Sequence, residues 1–197
     1  MAKFHYQDSP TQKQIKAFSK YLSEDEELVL VTGLSSAYLR QEAILFFVFP
    51  GIIFGIVFGG IFWFLNFNKF WVLGAVIAGM LVTSIVRTWH LYHSNRYIFT
   101  TRRAMIKRGI FGVKLSTALY DKITHIEVDQ GLIDRILLHH GHIIVNTAGM
   151  NKNEFTLRFV DYPIELKNLL ERLINREREQ MGRKFESLSA VEGEVIS

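Results

Sequence analysis

The chain has 197 residues, a formal net charge of +4, 49% apolar residues and no cysteine. This length suits one modest domain with a membrane segment. The lack of cysteine excludes a disulfide framework and a thiolate metal site. Positive charge is concentrated in one stretch, because Arg87–Lys114 holds seven basic residues and no acid.

Residues 1–42 form a predicted cytoplasmic N-terminal segment. A helix is expected over Thr11–Leu22, and a strand over Glu26–Ser36 because EELVLVTGLSS is rich in β-branched and apolar residues. If this strand joins the sheet formed later in the chain, the apolar block that separates them is an insertion within one domain.

Residues 43–89 read as a transmembrane helical hairpin. Ala43–Leu65 is 23 residues without a charge, which reaches about 34 Å as a helix and can cross a hydrocarbon core of about 30 Å. A second span is predicted over 70–89. Only NFNK, Asn66–Lys69, separates them. The alternative is a pair of buried helices in a soluble protein, but such a pair normally has a polar face.

The flanking charges predict the orientation of the hairpin. Arg40 precedes the first span, Arg87 and Arg96 follow the second, and the connecting loop carries one lysine. The positive-inside rule therefore places both termini in the cytoplasm. The uncharged runs Ala43–Leu65 and Phe70–Val86 hold no acidic or basic residue, which argues against an ion-coupled transporter.

Small residues recur at a spacing of four in both spans, a pattern that lets helix backbones approach closely in lipid. Each helix can use them to pack on its hairpin partner, or one face can form an oligomer. A structural or pore-forming homo-oligomer is thus the alternative function. The candidate packing residues are Gly51, Gly55, Gly59, Gly74 and Ala78.

Residues 90–181 are predicted as a cytoplasmic domain of short strands closed by a helix. Period-two alternation or strand composition marks Asn95–Thr100, Arg103–Gly109, Val113–Tyr120, Lys122–Asp129, His142–Gly149 and Glu154–Val160. Gly131–Gly141 reads as a short helical turn and GMNKN, Gly149–Asn153, as a tight turn. From Pro163 an apolar stripe at helical spacing follows, comprising Leu166, Leu169, Leu170, Leu173 and Ile174. Residues 182–197 form a predicted polar, loosely ordered tail.

Three blocks carry a resemblance to a known family. The segments YIFTTRRAMIKRGIF, DKITHIEVDQGLIDRIL and GHIIVNTAG resemble successive motifs of bacterial pleckstrin-homology-like domains in membrane proteins. The resemblance covers about Asn95–Leu173. It implies an α+β membrane protein: a two-helix transmembrane hairpin plus an antiparallel β-sandwich or partly open barrel capped by a C-terminal α-helix, in the bacterial inner membrane. It implies no catalytic residue and no cofactor.

The candidate binding surface is basic. Juxtamembrane cations attract anionic lipid at roughly 1 kcal/mol each, and a solvated sheet edge is the simpler interpretation of the same charges. We therefore expect contact with membrane lipids or with a protein partner, for example as a subunit of a membrane complex. The candidate contact residues are Arg96, Arg102, Arg103, Lys107, Arg108 and Lys114.

Nucleic acid and catalysis are not expected. No recognition helix or RNA-binding aromatic motif accompanies the charge, and no G-x-S-x-G, H-E-x-x-H or phosphate loop is present. The histidines form two groups, His90 with His93, and His139 with His140 and His142. We predict them as surface or interfacial side chains rather than metal ligands, because neither group has a visible carboxylate partner.

Overall fold

A computed structural model describes residues 5–6, 10–65, 68–132, 134–148 and 155–195. Its elements, in chain order, are α1 Gln12–Phe18, β1 Leu28–Gly33, α2 Ser36–Phe64, α3 Lys69–Ser94, β2 Asn95–Thr100, β3 Arg103–Arg108, β4 Lys114–Leu119, β5 Ile123–Asp129, β6 His140–Thr147, β7 Phe155–Asp161 and α4 Pro163–Val195. The predicted GMNKN turn and half of the NFNK connection, residues 66–67, lie outside the described residues.

Among the described residues, seven antiparallel strands form two sheets. The first sheet has the order β1-β2-β3-β4 and the second β5-β6-β7. Strand β1 pairs with β2, and Gly33 lies opposite Arg96. The long helices α2 and α3 therefore enter and leave the domain between two neighbouring strands of one sheet.

The core lies between the sheets and is closed by α4. The stripe predicted from Leu166 to Ile174 is buried there, against residues such as Phe99, Ile143 and Leu157. Helix α4 continues to Val195, beyond the point where a loosely ordered tail was predicted. The physical reason is propensity, since Glu177–Lys184 consists of good helix formers apart from Gly182 and contains no proline.

The outer face of the first sheet is partly covered by the N-terminal segment. Leu28, Ile98 and Met105 form a second small core against Phe18, Leu22 and their neighbours. Further along that face, alternate apolar residues of β4 point outward, and Leu115 and Leu119 are exposed. On the opposite side of β4, Ala118 points into the core between the two sheets and is buried. A small side chain fits there because that core is closely packed.

Helices α2 and α3 pack along each other through small residues. A Cβ added at Gly51 would lie 2.9 Å from Met80, and one added at Gly55 would lie 2.9 Å from Val76. The Ser84 hydroxyl also donates a hydrogen bond of 2.7 Å to the Ala43 carbonyl. Both helices are long and apolar enough to cross a membrane.

Candidate functional site

The pairing of β2, β3 and β4 brings four of the six candidate cations together. Strand β2 starts directly after α3, and β3 returns toward the helix. Arg96 lies opposite Lys107, and Arg108 lies opposite Lys114. We call these four residues the helix-end cations. They occupy the end of the sheet at which α3 finishes.

The helix-end cations differ in their contacts. The Arg96 guanidinium lies 4.3 Å from the centre of the Tyr92 ring on α3. Arg108 donates a 3.2 Å hydrogen bond to the carbonyl of Thr156. No ion pair involves Lys107 or Lys114 among the described residues, and the Lys114 side chain is exposed. The two lysines are therefore the members best placed to bind an anion.

The other two candidates lie at the opposite end of the same strands. Arg108 follows Arg103 by five positions along β3, a span of about 17 Å. Arg103 forms a 2.8 Å ion pair with Glu26 and also bonds the Ser23 hydroxyl. Arg102 is exposed in the turn between β2 and β3. The six predicted contact residues thus form two separate groups, and Arg103 is engaged within the chain.

The start of α2 is fastened to the second sheet. Ser35 caps the helix, and its hydroxyl also donates a 2.5 Å hydrogen bond to Asp161. Its backbone N–H bonds the Phe159 carbonyl at 2.6 Å. The Tyr38 ring stacks on Phe159 with centroids 3.8 Å apart. Phe159 has a φ of 50°, a strained conformation for a bulky residue.

The HHGH stretch belongs to this junction. His140 is only 2% exposed, so of the two predicted environments, surface or interfacial, the surface one is wrong there. The reason is that β6 begins at His140 and its ring lies edge-on to both Tyr38 and Phe159. His142 accepts a 3.3 Å hydrogen bond from the Phe159 N–H, and burial lowers the pKa of its imidazole.

The histidines do not assemble into a metal centre within the described part of the chain, where no group of three potential ligands comes together. His93 instead contacts the Trp89 carbonyl at 3.0 Å. His140 approaches Asp134 at 3.8 Å, which is too long for a good hydrogen bond.

The candidate packing residues also form two groups, one that faces the partner helix and one that does not. Gly51, Gly55 and Gly59 face Met80, Val76 and other side chains of α3. Gly74 has no atom within 4 Å of an added Cβ, and Ala78 is exposed. The first three therefore serve the hairpin itself.

Comparison with known proteins places this geometry in context. The family model described as the bacterial PH domain matches residues 43–174. Among curated proteins, none matches the sequence. Similar solved structures include a DUF1696 family protein with a pleckstrin-homology domain from Shewanella loihica PV-4, with 9% identity, a TM-score of 0.43 and coverage of 84% of this chain and 98% of that one. A pleckstrin homology domain from Shewanella amazonensis SB2B has 11% identity, a TM-score of 0.46 and coverage of 86% and 92%.

Proposed function

The chain belongs to the bacterial PH domain family, and we propose that it is a membrane-anchored binding module at the cytoplasmic face of the bacterial inner membrane. The family match covers about two thirds of the chain. PH-like domains are generally non-catalytic modules that bind lipids or proteins, so binding rather than chemistry is the expected role.

The helix pair supports the anchoring. In the most apolar 18-residue stretch of each helix, only 12% of α2 and 6% of α3 is buried inside the chain. Their apolar surfaces therefore need an apolar solvent. Because α2 follows β1 and α3 precedes β2, both connections hold the domain close to the membrane. In this arrangement the domain lies on the side of the positive flanks, which the positive-inside rule assigns to the cytoplasm.

The ligand that we propose is the anionic lipid headgroup. The observation that carries this proposal is the position of the helix-end cations Arg96, Lys107, Arg108 and Lys114 beside the last turn of α3. Anionic lipid attracts each cation near the surface by about 1 kcal/mol, and this attraction fades within a Debye length of about 10 Å. Arg102 and Arg103 lie beyond that range in this arrangement.

Native mass spectrometry from nanodiscs of phosphatidylcholine and phosphatidylglycerol tests the lipid proposal. We expect Lys107→Glu with Lys114→Glu to lose most of the retained phosphatidylglycerol. Arg102→Glu is the matched control, because it reverses an exposed cation at the far end of the same strands, and it should retain the wild-type amount. Equal retention in all three proteins would refute lipid binding by these cations.

The topology is tested separately. The chain has no cysteine, so single-cysteine variants report accessibility cleanly. With a membrane-impermeant maleimide on intact cells, Lys69→Cys should be labelled and Arg102→Cys should react only after lysis. The reverse pattern would place the domain outside the cell.

A protein partner is the second candidate ligand. A cleft of about 380 Å³ lies between the edge strand β5 and α4, lined in part by His125, Lys167, Glu171 and Arg178. Lys167 and Glu171 form a 2.9 Å ion pair one helical turn apart. The double change Lys167→Glu with Glu171→Lys keeps this pair but reverses the charge pattern of the cleft. A defined heterocomplex that survives extraction and is lost in this variant would favour the protein partner, and an unaffected complex would exclude the cleft.

A further inference from the structure

The turn between β3 and β4, residues 109–113, is an exposed apolar tip. Between Arg108 and Lys114 the sequence reads GIFGV, without a polar side chain. Phe111 is 96% exposed, the largest exposed fraction of any large apolar residue in the described part of the chain. Gly109 has a φ of +94°, and a Cβ there would lie 2.0 Å from the Gly112 carbonyl oxygen. The tight turn therefore depends on glycine and holds Phe111 away from the core.

This tip lies next to the end of α3. The Gly109 N–H donates a 2.8 Å hydrogen bond to the carbonyl of Ser94, the last residue of the helix. Ser94 follows Trp89 by five residues, a helical rise of about 7.5 Å. Tyr92 precedes Ser94 by two residues, a helical rise of about 3 Å. The turn that carries Phe111 therefore begins close to the level of Tyr92, an aromatic side chain of the kind enriched at the membrane interface.

The charge around the tip fits an anionic surface. Arg108 and Lys114 pair at its base, with Lys107 one residue earlier. No aspartate or glutamate occurs in the sequence between Glu42 and Asp121, so beyond Glu42, near the start of α2, neither the helix pair nor β2–β4 contributes an acid that would repel a headgroup.

We propose that Phe111 inserts into the headgroup layer of the bilayer and seats the domain against the membrane. The inference rests on the proposed anchoring and deepens it by naming the segment that touches lipid. The tip combines an apolar aromatic side chain with neighbouring cations. At the membrane surface, burial of apolar area and attraction to anionic headgroups both contribute to binding and add together.

Depth-dependent fluorescence quenching on the full chain tests the inference. Three single-cysteine variants carry the same environment-sensitive dye: Phe111→Cys at the tip, Arg102→Cys at the far end of the strands and Val82→Cys on the exposed side of α3. Each is reconstituted into phosphatidylcholine vesicles with and without phosphatidylglycerol, with lipid-attached or aqueous quenchers. Phe111 is exposed, so its replacement should leave the thermal midpoint unchanged.

We expect lipid-attached quenchers to act several times more strongly at position 111 than at 102, and the difference to grow with phosphatidylglycerol. If position 82 is quenched while 111 behaves like 102, the chain is anchored but the tip does not touch lipid, and the inference is wrong. If 111 is shielded from both lipid and aqueous quenchers, a protein covers the tip and the inference is again wrong. If 82 is not quenched, the anchoring itself fails, and the seating of the tip fails with it.

Discussion

At the residue scale, the ion pair between Arg103 and Glu26 ties the N-terminal segment to β3. The Glu26 side chain is 3% exposed and lies 2.8 Å from Arg103. Removing the guanidinium leaves a buried carboxylate without its cation, which typically costs several kcal/mol. Arg103→Ala should therefore lower the free energy of unfolding by about 3 kcal/mol.

Thermal unfolding in detergent, followed by intrinsic fluorescence, measures this effect. The control is Arg102→Ala, which removes an exposed neighbouring arginine and should leave the midpoint within experimental error. A midpoint that falls equally in both variants would show that the loss comes from the turn rather than from the ion pair.

Tyr97 connects the two sheets. Its hydroxyl donates to the Arg158 carbonyl at 2.8 Å and accepts from the Arg158 N–H at 2.9 Å. Burial raises the pKa of Tyr97 from 10.0 to about 12. Because the folded pKa lies above the unfolded one, the stabilisation is complete below pH 10 and is lost as the pH rises to 12. The difference between the two pKa values corresponds to about 3 kcal/mol of folding stability.

We expect Tyr97→Phe to be less stable than wild type at neutral pH by about 1–3 kcal/mol, because two backbone groups lose their partner. The same variant should lose less stability between pH 9 and pH 12, because phenylalanine has no proton to release. Denaturation midpoints across this range test both expectations. An identical alkaline decline in the two proteins would show that Tyr97 does not control it.

At the element scale, α2 and α3 have one face that fits closely and another that is open. Gly55 lies against Val76, whereas Gly74 faces empty space. Gly55→Leu should separate the two helices and lower the thermal midpoint in detergent. Gly74→Leu should leave that midpoint unchanged, because a Cβ added at Gly74 has open space around it.

These two variants also test the alternative function of a homo-oligomer. If the native mass of the detergent-extracted protein falls in Gly74→Leu, the open face of α3 is an oligomer contact. A monomeric mass in the wild type and in both variants would exclude an oligomer built on either glycine face.

The elements themselves could be predicted from the sequence, because helix and strand periodicities are local. The strand predicted over Asn95–Thr100 has the same bounds in the structure, and the stripe from Leu166 to Ile174 is buried as expected. The grouping of the six cations could not be predicted, because it depends on where each strand ends relative to the helix. The sequence also did not predict which face of β4 points outward. Leu115 and Ala118 lie on opposite faces, and the alternation alone does not show which face packs on the core.

The buried His140 was missed for a different reason. A histidine beside two others in a linker has the composition of a surface loop. Its burial results from contacts with Tyr38 of α2 and Phe159 of β7, both distant in sequence. No signal within HHGH itself indicates those partners.

At the scale of the whole molecule, the long apolar helices α2 and α3 are an insertion in a domain whose strands would otherwise form a simple hairpin. Gly33 at the end of β1 lies directly opposite Arg96 near the start of β2. The sheets and α4 enclose the buried core without a contribution from α2 or α3. The domain should therefore hold its fold when the helices are removed, and the helices set its position rather than its architecture.

Replacing residues 34–95 by the dipeptide Asn-Gly tests this view. Two residues of this type close a hairpin between antiparallel strands, so the shortened chain should be soluble and unfold cooperatively. It loses the hydrogen bond from Ser35 to Asp161 and the stacking of Tyr38 on Phe159, a cost of about 2 kcal/mol.

A chain that begins at Asn95 is the control. It lacks β1, exposes the edge of β2 and should fail to fold. If the shortened chain is also unfolded while the full chain melts cooperatively in detergent, then α2 and α3 stabilise the domain itself, because the core between the sheets is not sufficient without them.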